Sequence, residues 1–457
     1  MPVQSIQLSK LNVFENQVEI HYLLDEKYSS LTRIVYHDIN LFDLKNILSQ
    51  KAFERLFAII ALLETFKFIP LFPCSVDLRA LGIAICQDSC ERIRSWIPNL
   101  YSQHLHENKR PDYKGPVYLT QNKTYQEVLS FPFAKSGPIL CPNGGGKDSY
   151  LLMKLLNDKK VNFASFSSAR SEYGKLFEQH KIQENNLLEL EGLKAKHKVS
   201  VFDDITDWVW PSLAFPEVIG ECSFGRPNQV GTPEMIFYAL PIALTKGYQS
   251  IAMGWERSAE AVQAKNEVMN VNHQYLKSFA AEKAYQSFIK DFIDPDFRVF
   301  SLLRPYHDYK IFDLFCRQSP SILPFIHSCN IKKPWCKNCP KCAYVWIQML
   351  AQLGPKKIKD LFDENLLDRE SLLPTFEKLM GLQDENAFEC VGSFDETRLA
   401  FKLAYKKAAK GKAMDLFEKK LLKICDQAWE EKMLKTFGSV YDEHAIPDFL
   451  INYEKTR

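Results

Sequence analysis

ILCPNGGGKDSYLLMKLL, residues 139–156, decides the fold of this 457-residue chain. Ile139–Cys141 reads as a short apolar strand, and Tyr150–Leu156 as a helix with Leu151, Leu152, Leu155 and Leu156 on one side. Between them, Gly144, Gly145 and Gly146 let the backbone approach a phosphate without Cβ clashes. Their N–H groups, with the N-terminus of the following helix, form an anion site. Lys147 adds a point charge, Ser149 a hydrogen-bond donor, and Asp148 a ligand for a magnesium ion bridging a pyrophosphate. The spacing excludes a Walker loop, which needs four residues between its first glycine and the Gly-Lys pair. It also excludes the GxGxxG dinucleotide fingerprint. A glycine turn without a ligand is the competing reading.

Outward from this loop, strands and helices alternate. Val161–Phe166, Lys198–Phe202, Ser250–Gly254 and Val299–Leu303 read as strands; Glu172–His180 and Pro233–Lys246 read as helices. Such alternation predicts an α/β fold with a parallel sheet flanked by helices, which binds ligands at the carboxyl ends of its strands. Residues 1–130 form an N-terminal α+β domain with a strong helix near Leu41–Phe66, and 131–328 the nucleotide domain. Residues 329–345 hold a cysteine cluster, and 346–457 a helical C-terminal region. His104–Lys123, polar and carrying Pro111 and Pro116, reads as a linker. Lys402–Lys423 is lysine-rich and amphipathic, a solvated helix face or a partner surface.

Composition narrows the function. Hydrophobic residues make up 46% and charged residues 25%, as in a packed soluble protein. A formal net charge of +2 gives none of the basic excess expected of a nucleic-acid-gripping protein. The start, MPVQSIQLSK, carries no secretory pattern. The longest early apolar run, Leu56–Leu63, is far short of the ~20 residues that span a bilayer. These features, and 12 cysteines of which eight are scattered, predict a reduced, cytoplasmic setting. The other four, Cys329, Cys336, Cys339 and Cys342, form C-x6-C-x2-C-x2-C. Four thiolates at that spacing suit a structural zinc ion, with an iron–sulfur cluster or metal-free cysteines as alternatives. Lys332, Lys333, Lys337 and Lys341 are expected to offset the thiolate charge.

The loop resembles the SGGxDS signature of the PP-loop ATP pyrophosphatases (adenine nucleotide alpha hydrolase-like), with Asn143 or Gly144 in place of the usual serine. Those enzymes adenylate a substrate oxygen and release pyrophosphate. The resemblance implies that Asn143–Ser149 bind ATP and magnesium. It also implies that Ser165 and Ser167, at the end of the next strand, seat adenine and ribose. A PP-loop followed by four cysteines looks like the 7-cyano-7-deazaguanine synthases or the MurL epimerases. ERSAE at 256–260, NVNHQYLKSFAAE at 270–282, WCKNCPKCAYV at 335–345 and FECVGSFDETR at 388–398 are similar to the MurL family. That family implies ATP-dependent inversion of the terminal L-Glu of UDP-MurNAc-L-Ala-L-Glu through an acyl adenylate, in peptidoglycan synthesis, cell shape and division.

The same resemblance makes Lys147, Asp148, Glu256, Arg257, His273, Lys277 and Cys390 the candidate catalytic residues. His273 lies in a polar run and reads equally as a loop histidine. Arg257 could grip a carboxylate or form a surface ion pair, Cys390 could be an inert buried thiol, and Arg304 could meet phosphate or serve structure. The alternative function is a synthase-like enzyme acting on a deazapurine or on a protein or peptide.

Overall fold

The computed structural model describes residues 3–451, apart from 128, 172–173, 188–189, 205–230, 266–267, 330 and 333–334. Alternating apolar residues build an antiparallel meander: β1 (Ser5–Val13), β2 (Gln17–Leu24) and β3 (Tyr28–Tyr36). In β2, Val18, Ile20, Tyr22 and Leu24 are buried, while the residues between them are only half-buried. The short strands β4 (Ser75–Asp77) and β5 (Val117–Leu119) extend this side in parallel. The second half of the sheet comes from β6 (Ile139–Pro142), β7 (Phe163–Arg170), β8 (Leu193–Asp203) and β9 (Ser250–Met253). The hairpin pair β10 (Ala264–Lys265) and β11 (Asn270–Val271) stands apart, and β12 (Arg298–Ser301) completes the main sheet.

The ten-stranded order is β12-β9-β6-β7-β8-β3-β2-β1-β4-β5. From β12 to β8 every neighbour is parallel, as alternating strands and helices predict. β8 then pairs antiparallel with β3, from Thr32↔Asp203 to Tyr36↔Val199, so one sheet runs through both halves of the chain. The parallel half is covered on both faces, because successive strand residues enter different apolar cores. Leu140, Ile251 and Val299 join α1 (Gln50–Glu64), α3 (Gly231–Lys246) and α4 (Phe279–Phe292). Ile139, Ala252 and Phe300 join α2 (Lys147–Asp158), α5 (Asp308–Gln318), α6 (Pro340–Phe362) and α7 (Phe394–Lys406). Among the described residues, no helix is long and apolar enough to cross a membrane.

Several sequence expectations change. The long helix expected at Leu41–Phe66 is a 3-10 turn at Leu41–Asn46 followed by α1, because the Ser49 side chain caps a new start by accepting from Ala52 N–H. The expected linker, His104–Lys123, contains most of a short helix (Ser102–Glu107) and the edge strand β5. Ser165–Ser168 does not end its strand, since pairing with β8 carries β7 on to Arg170. The lysine-rich stretch is broken after Lys406, and Gly411, at φ +143°, leads into a separate helix, Lys412–Lys420.

Burial of three histidines sets an acid limit on this fold. Burial pushes His104, His180 and His307 down to about 4, with neighbouring cations adding to the shift at His180 (Lys198) and His307 (Arg257). The folded state therefore favours neutral rings. Between pH 6.5 and about 4 the unfolded chain binds more protons, so stability falls as pH falls through that window. Thermal melts at fixed ionic strength should show the midpoint dropping between pH 7 and pH 4.5. A level midpoint over that range would contradict it.

Candidate active site

The glycine loop leaves the carboxyl end of β6 and enters α2. Asn143 shapes it: Nδ2 donates to Gln183 O at 2.6 Å and to Asn186 Oδ1 at 3.0 Å, while Oδ1 accepts from Gly145 N–H at 3.0 Å and from Asn186 Nδ2 at 3.1 Å. All its side-chain hydrogen-bonding capacity is thus used inside the protein. Gly145 sits at φ +77°, and a Cβ there would lie 3.1 Å from Gln183 Cα. Gly144 is exposed, and a Cβ on it would meet nothing within 4 Å. Among the described residues no group accepts a hydrogen bond from Gly144 N–H or Gly146 N–H. Two loop amides at a helix N-terminus are therefore left for an anion, which fits a nucleotide phosphate. Ser149 Oγ is turned back to donate to Gly146 O at 3.0 Å.

Lys147 is buried, and its Nζ lies 2.5 Å from Asp148 Oδ1 and 2.5 Å from Asp308 Oδ1. Asp308 opens α5, just beyond β12. Burial raises the carboxyls of Asp148 and Asp308, and Lys147 opposes the shift at both. Glu256, which follows β9, is buried too. Burial alone would raise it, but Lys277, Lys147 and Lys341 overcome that and hold it at about 2. Burial also works against the charge on Lys277, but Cys390, Glu256, Asp148 and Asp308 keep its ammonium raised. One buried network of opposite charges thus runs from the glycine loop to Cys390. Such a concentration of shifted groups marks functional sites.

At its far end, Lys277 Nζ lies 3.7 Å from Cys390 Sγ, and the ligand-type atoms of His273, Glu389 and Cys390 all lie within 4.8 Å of one another. Burial raises Cys390, but Lys277, His273 and Lys341 reverse this and lower it, favouring thiolate. Burial lowers His273, yet Cys390 and Glu389 raise it against the opposition of Lys277, favouring imidazolium. The Lys277 ammonium stands beside the thiolate where a metal ion would have to bind. The trio therefore reads as a thiolate–imidazolium pair rather than a metal centre.

Gly392 lets this segment close against the core: a Cβ on it would lie 2.3 Å from Tyr344 OH and 2.6 Å from Glu396 Oε2. Glu396 in turn accepts from Ser258 Oγ at 2.6 Å, and Ser258 Oγ accepts from Asp308 N–H at 2.8 Å. Asp308 and Glu396 were not singled out from the sequence, and Lys341 was read there only as a counter-charge to the cysteine cluster. The run RPYHD after the last strand was the available signal for Asp308.

The two arginines named from the sequence are engaged by protein partners. Arg257 turns to Glu443, at 2.7 Å, and stacks over Tyr441. Arg304, fully buried, pairs with Glu282 and donates to the backbone carbonyls of Glu256 and Lys277, so it positions the site. Ser165 is buried within β7, and Ser167 Oγ bonds His180 Nδ1 at 2.8 Å; neither ends a strand.

The four cysteine sulfurs of the cluster lie within 4.8 Å of one another, with Cys329–Cys339 at 3.9 Å and Cys336–Cys342 at 3.8 Å. Four thiolates at Zn–S bonds of about 2.3 Å would be about 3.8 Å apart, so the donor set fits tetrahedral zinc. The lysine role changes. Lys341 reaches Cys390 O and Lys337 reaches Phe362 O, while Lys333 lies outside the described residues. Backbone N–H groups of Lys332, Cys336, Asn338 and Cys342 bond the sulfurs instead, each at 3.4 Å. Cys339 caps α6, whose second residue is Lys341. On the other side, His327 N–H donates to Gly145 O at 3.2 Å. The cysteine cluster is thus tied to both ends of the charged network.

An anion-ready loop joined to a buried thiol–imidazole–amine cluster, on an α/β sheet, defines the class of site. Two family models match this chain: the MurL N-terminal domain over residues 235–302 and the MurL C-terminal domain over residues 325–435. Both support a relationship to the MurL family. Among curated proteins, the chain is 30% identical over 167 residues to the UDP-N-acetyl-alpha-D-muramoyl-L-alanyl-L-glutamate epimerase of Xanthomonas oryzae pv. oryzae. That match covers 35% of this chain and 37% of the relative. Proteins of the same name from Micromonospora sp. and Salinispora tropica are 28% and 27% identical over 172 residues, 36% of this chain in each case and 38% and 37% of the relative. The matches thus span little more than a third of each relative's length. No solved structure matches the chain.

Proposed function

We propose that this chain is an ATP-dependent epimerase that inverts the terminal L-Glu of UDP-MurNAc-L-Ala-L-Glu to D-Glu in peptidoglycan precursor synthesis. The observation that carries the reading is the junction of Cys390, His273 and Lys277 with the glycine loop through Glu256, Asp148 and Lys147. The α-carboxylate oxygen of the substrate's terminal glutamate attacks the α-phosphorus of ATP, and the bond to pyrophosphate breaks. Gly144 and Gly146 N–H groups bind the departing phosphates. Magnesium, held by Asp148, would neutralise their charge. Activation of the carboxyl next to Cα acidifies the Cα–H. The Cys390 thiolate, held by Lys277, takes that proton and an acid on the opposite face returns one; the thiol then gives its proton to solvent water and the acid regains one from it. Glu256, ionised at about pH 2 and above, serves as counter-ion rather than base. Water then attacks the acyl carbon and AMP leaves. Coupling to ATP makes the inversion one-way, where a bare racemase would stop near an equal mixture.

Incubation with ATP, magnesium and UDP-MurNAc-L-Ala-L-Glu should yield AMP and D-Glu. Cys390→Ser should cut D-Glu formation by about 10²-fold or more while AMP still forms. D-Glu formation undiminished in that variant would remove Cys390 from the reaction. AMP formed only with a carboxylated deazapurine and ammonia, or with a protein terminus, would replace the substrate.

A further inference from the structure

The polar stretch before residue 110, which the sequence presents as the approach to a linker, delivers a side chain to the acid/base cluster. Gln103 lies on the short helix Ser102–Glu107 and is 8% exposed. Its Oε1 lies 2.5 Å from His273 Nδ1, and its Nε2 donates to Glu107 Oε1 at 2.7 Å. That second bond fixes the amide orientation, since the face towards Glu107 must carry the donor. The oxygen is therefore left for His273, whose Nδ1 must bear a proton to donate to it. Nε2 is then the nitrogen turned to Glu389, 3.8 Å from its Oε1, within the cluster whose ligand-type atoms also include Cys390 Sγ.

The rest of the helix braces the same segment. Ser102 Oγ accepts from Asn272 N–H at 3.2 Å, and His106 Nε2 meets Glu385 Oε1 at 3.3 Å, five residues before Cys390. The backbone of His273 is held separately, by donation of its N–H to Gln263 Oε1 at 3.0 Å. Gln103 thus controls the orientation of the ring, not the loop that carries it.

We infer that Gln103, oriented by Glu107, is a positioning residue that holds the His273 ring with Nδ1 donating to it and Nε2 turned to the cluster of Glu389 and Cys390, so that the N-terminal third completes the reactive site. This rests on the reading of Cys390 and His273 as a working pair. The groups facing Cys390 are His273, Lys277, Lys341 and Glu389; those facing His273 are Gln103, Glu389, Cys390 and Lys277. Loss of Gln103 leaves the charges in place and frees only the ring.

The test is the pH dependence of Cys390 alkylation by iodoacetamide in the full chain, followed on its peptide by mass spectrometry. In Gln103→Leu the midpoint should move up by about one pH unit, leaving about tenfold less thiolate near neutrality. His273→Ala, which also removes the charge of the ring, should move it at least as far, and the double variant no further than His273→Ala, because Gln103 acts through that ring. Gln103→Glu, which keeps the acceptor, should restore the low midpoint. If Gln103→Leu fails to fold, Glu107→Leu carries the same expectation with a smaller shift. A midpoint unchanged in Gln103→Leu or its substitute but raised in His273→Ala overturns the role of Gln103 and leaves the pair intact. A midpoint unchanged in His273→Ala overturns the pair itself, and this inference with it.

Discussion

Lys147→Met is expected to stop AMP formation and to lower the melting temperature, with the stability loss shrinking as pH is lowered. The Lys147 side chain is 3% exposed and contacts two carboxylates at 2.5 Å. Removing it leaves the buried Asp308 and Glu256 and the half-buried Asp148 together with only Lys277 and Lys341 to balance them. Removing one partner of such a buried pair costs about 3–5 kcal/mol. The carboxyls of Asp148 and Asp308 are already raised by burial and would rise further without the ammonium. A carboxyl raised above its unfolded value contributes stability at low pH that is lost as pH rises. The deficit should therefore be larger at pH 8 than at pH 5.5. Adding Asp308→Asn should recover part of the stability and none of the activity. A Lys147→Met protein that still forms AMP would remove the loop from the reaction. One that melts like the parent at pH 8 would show that the charged network is less tightly coupled than its geometry indicates.

Withdrawing metal from the four-cysteine cluster should have the second largest effect and should damage both halves of the site together. The cluster holds the glycine loop through His327 N–H and the Cys390 segment through Lys341. Purified protein should contain one zinc per chain. Cys339→Ser, or a strong chelator, should lower the melting temperature by about ten degrees or more, since structural zinc contributes folding energy directly. Cys390 alkylation should then lose its low midpoint, a readout independent of turnover. Metal-free protein that melts normally and keeps that midpoint would reject the coupling.

The sequence made the local elements of this molecule legible and left its long-range pairings hidden. The strand–glycine–helix unit at 139–156 could be read because strand, loop and helix are adjacent and each follows its own residue pattern. The four cysteines could be read because their ligand atoms need only a short chain to converge. The β3–β8 pairing could not, since nothing in Thr32–Tyr36 names a partner about 165 residues away. The length of β7 was missed for the same reason: its last residues are strand because β8 lies beside them. Cys390, His273 and Lys277 came from resemblance, and their meeting is a product of the fold. Gln103 stayed invisible because a polar residue before a proline-bearing stretch carries no mark of burial. Arg257 and Arg304 show the converse, since residues placed correctly at strand ends were claimed by Glu443 and Glu282.

The antiparallel ladder between β3 and β8 clasps the first forty residues to the middle of the molecule, and the buried Lys67–Asp203 ion pair at 2.8 Å adds a second clasp. A protease nick between residues 120 and 135 would therefore leave two pieces that stay together and keep the glycine loop and the Cys390 cluster aligned. Expressing the piece from 131 onward by itself would bare a hydrogen-bonding edge and the apolar face that α1 covers, inviting aggregation. The chain is thus a candidate for complementation from two co-produced fragments, and a poor one for trimming to a smaller fragment.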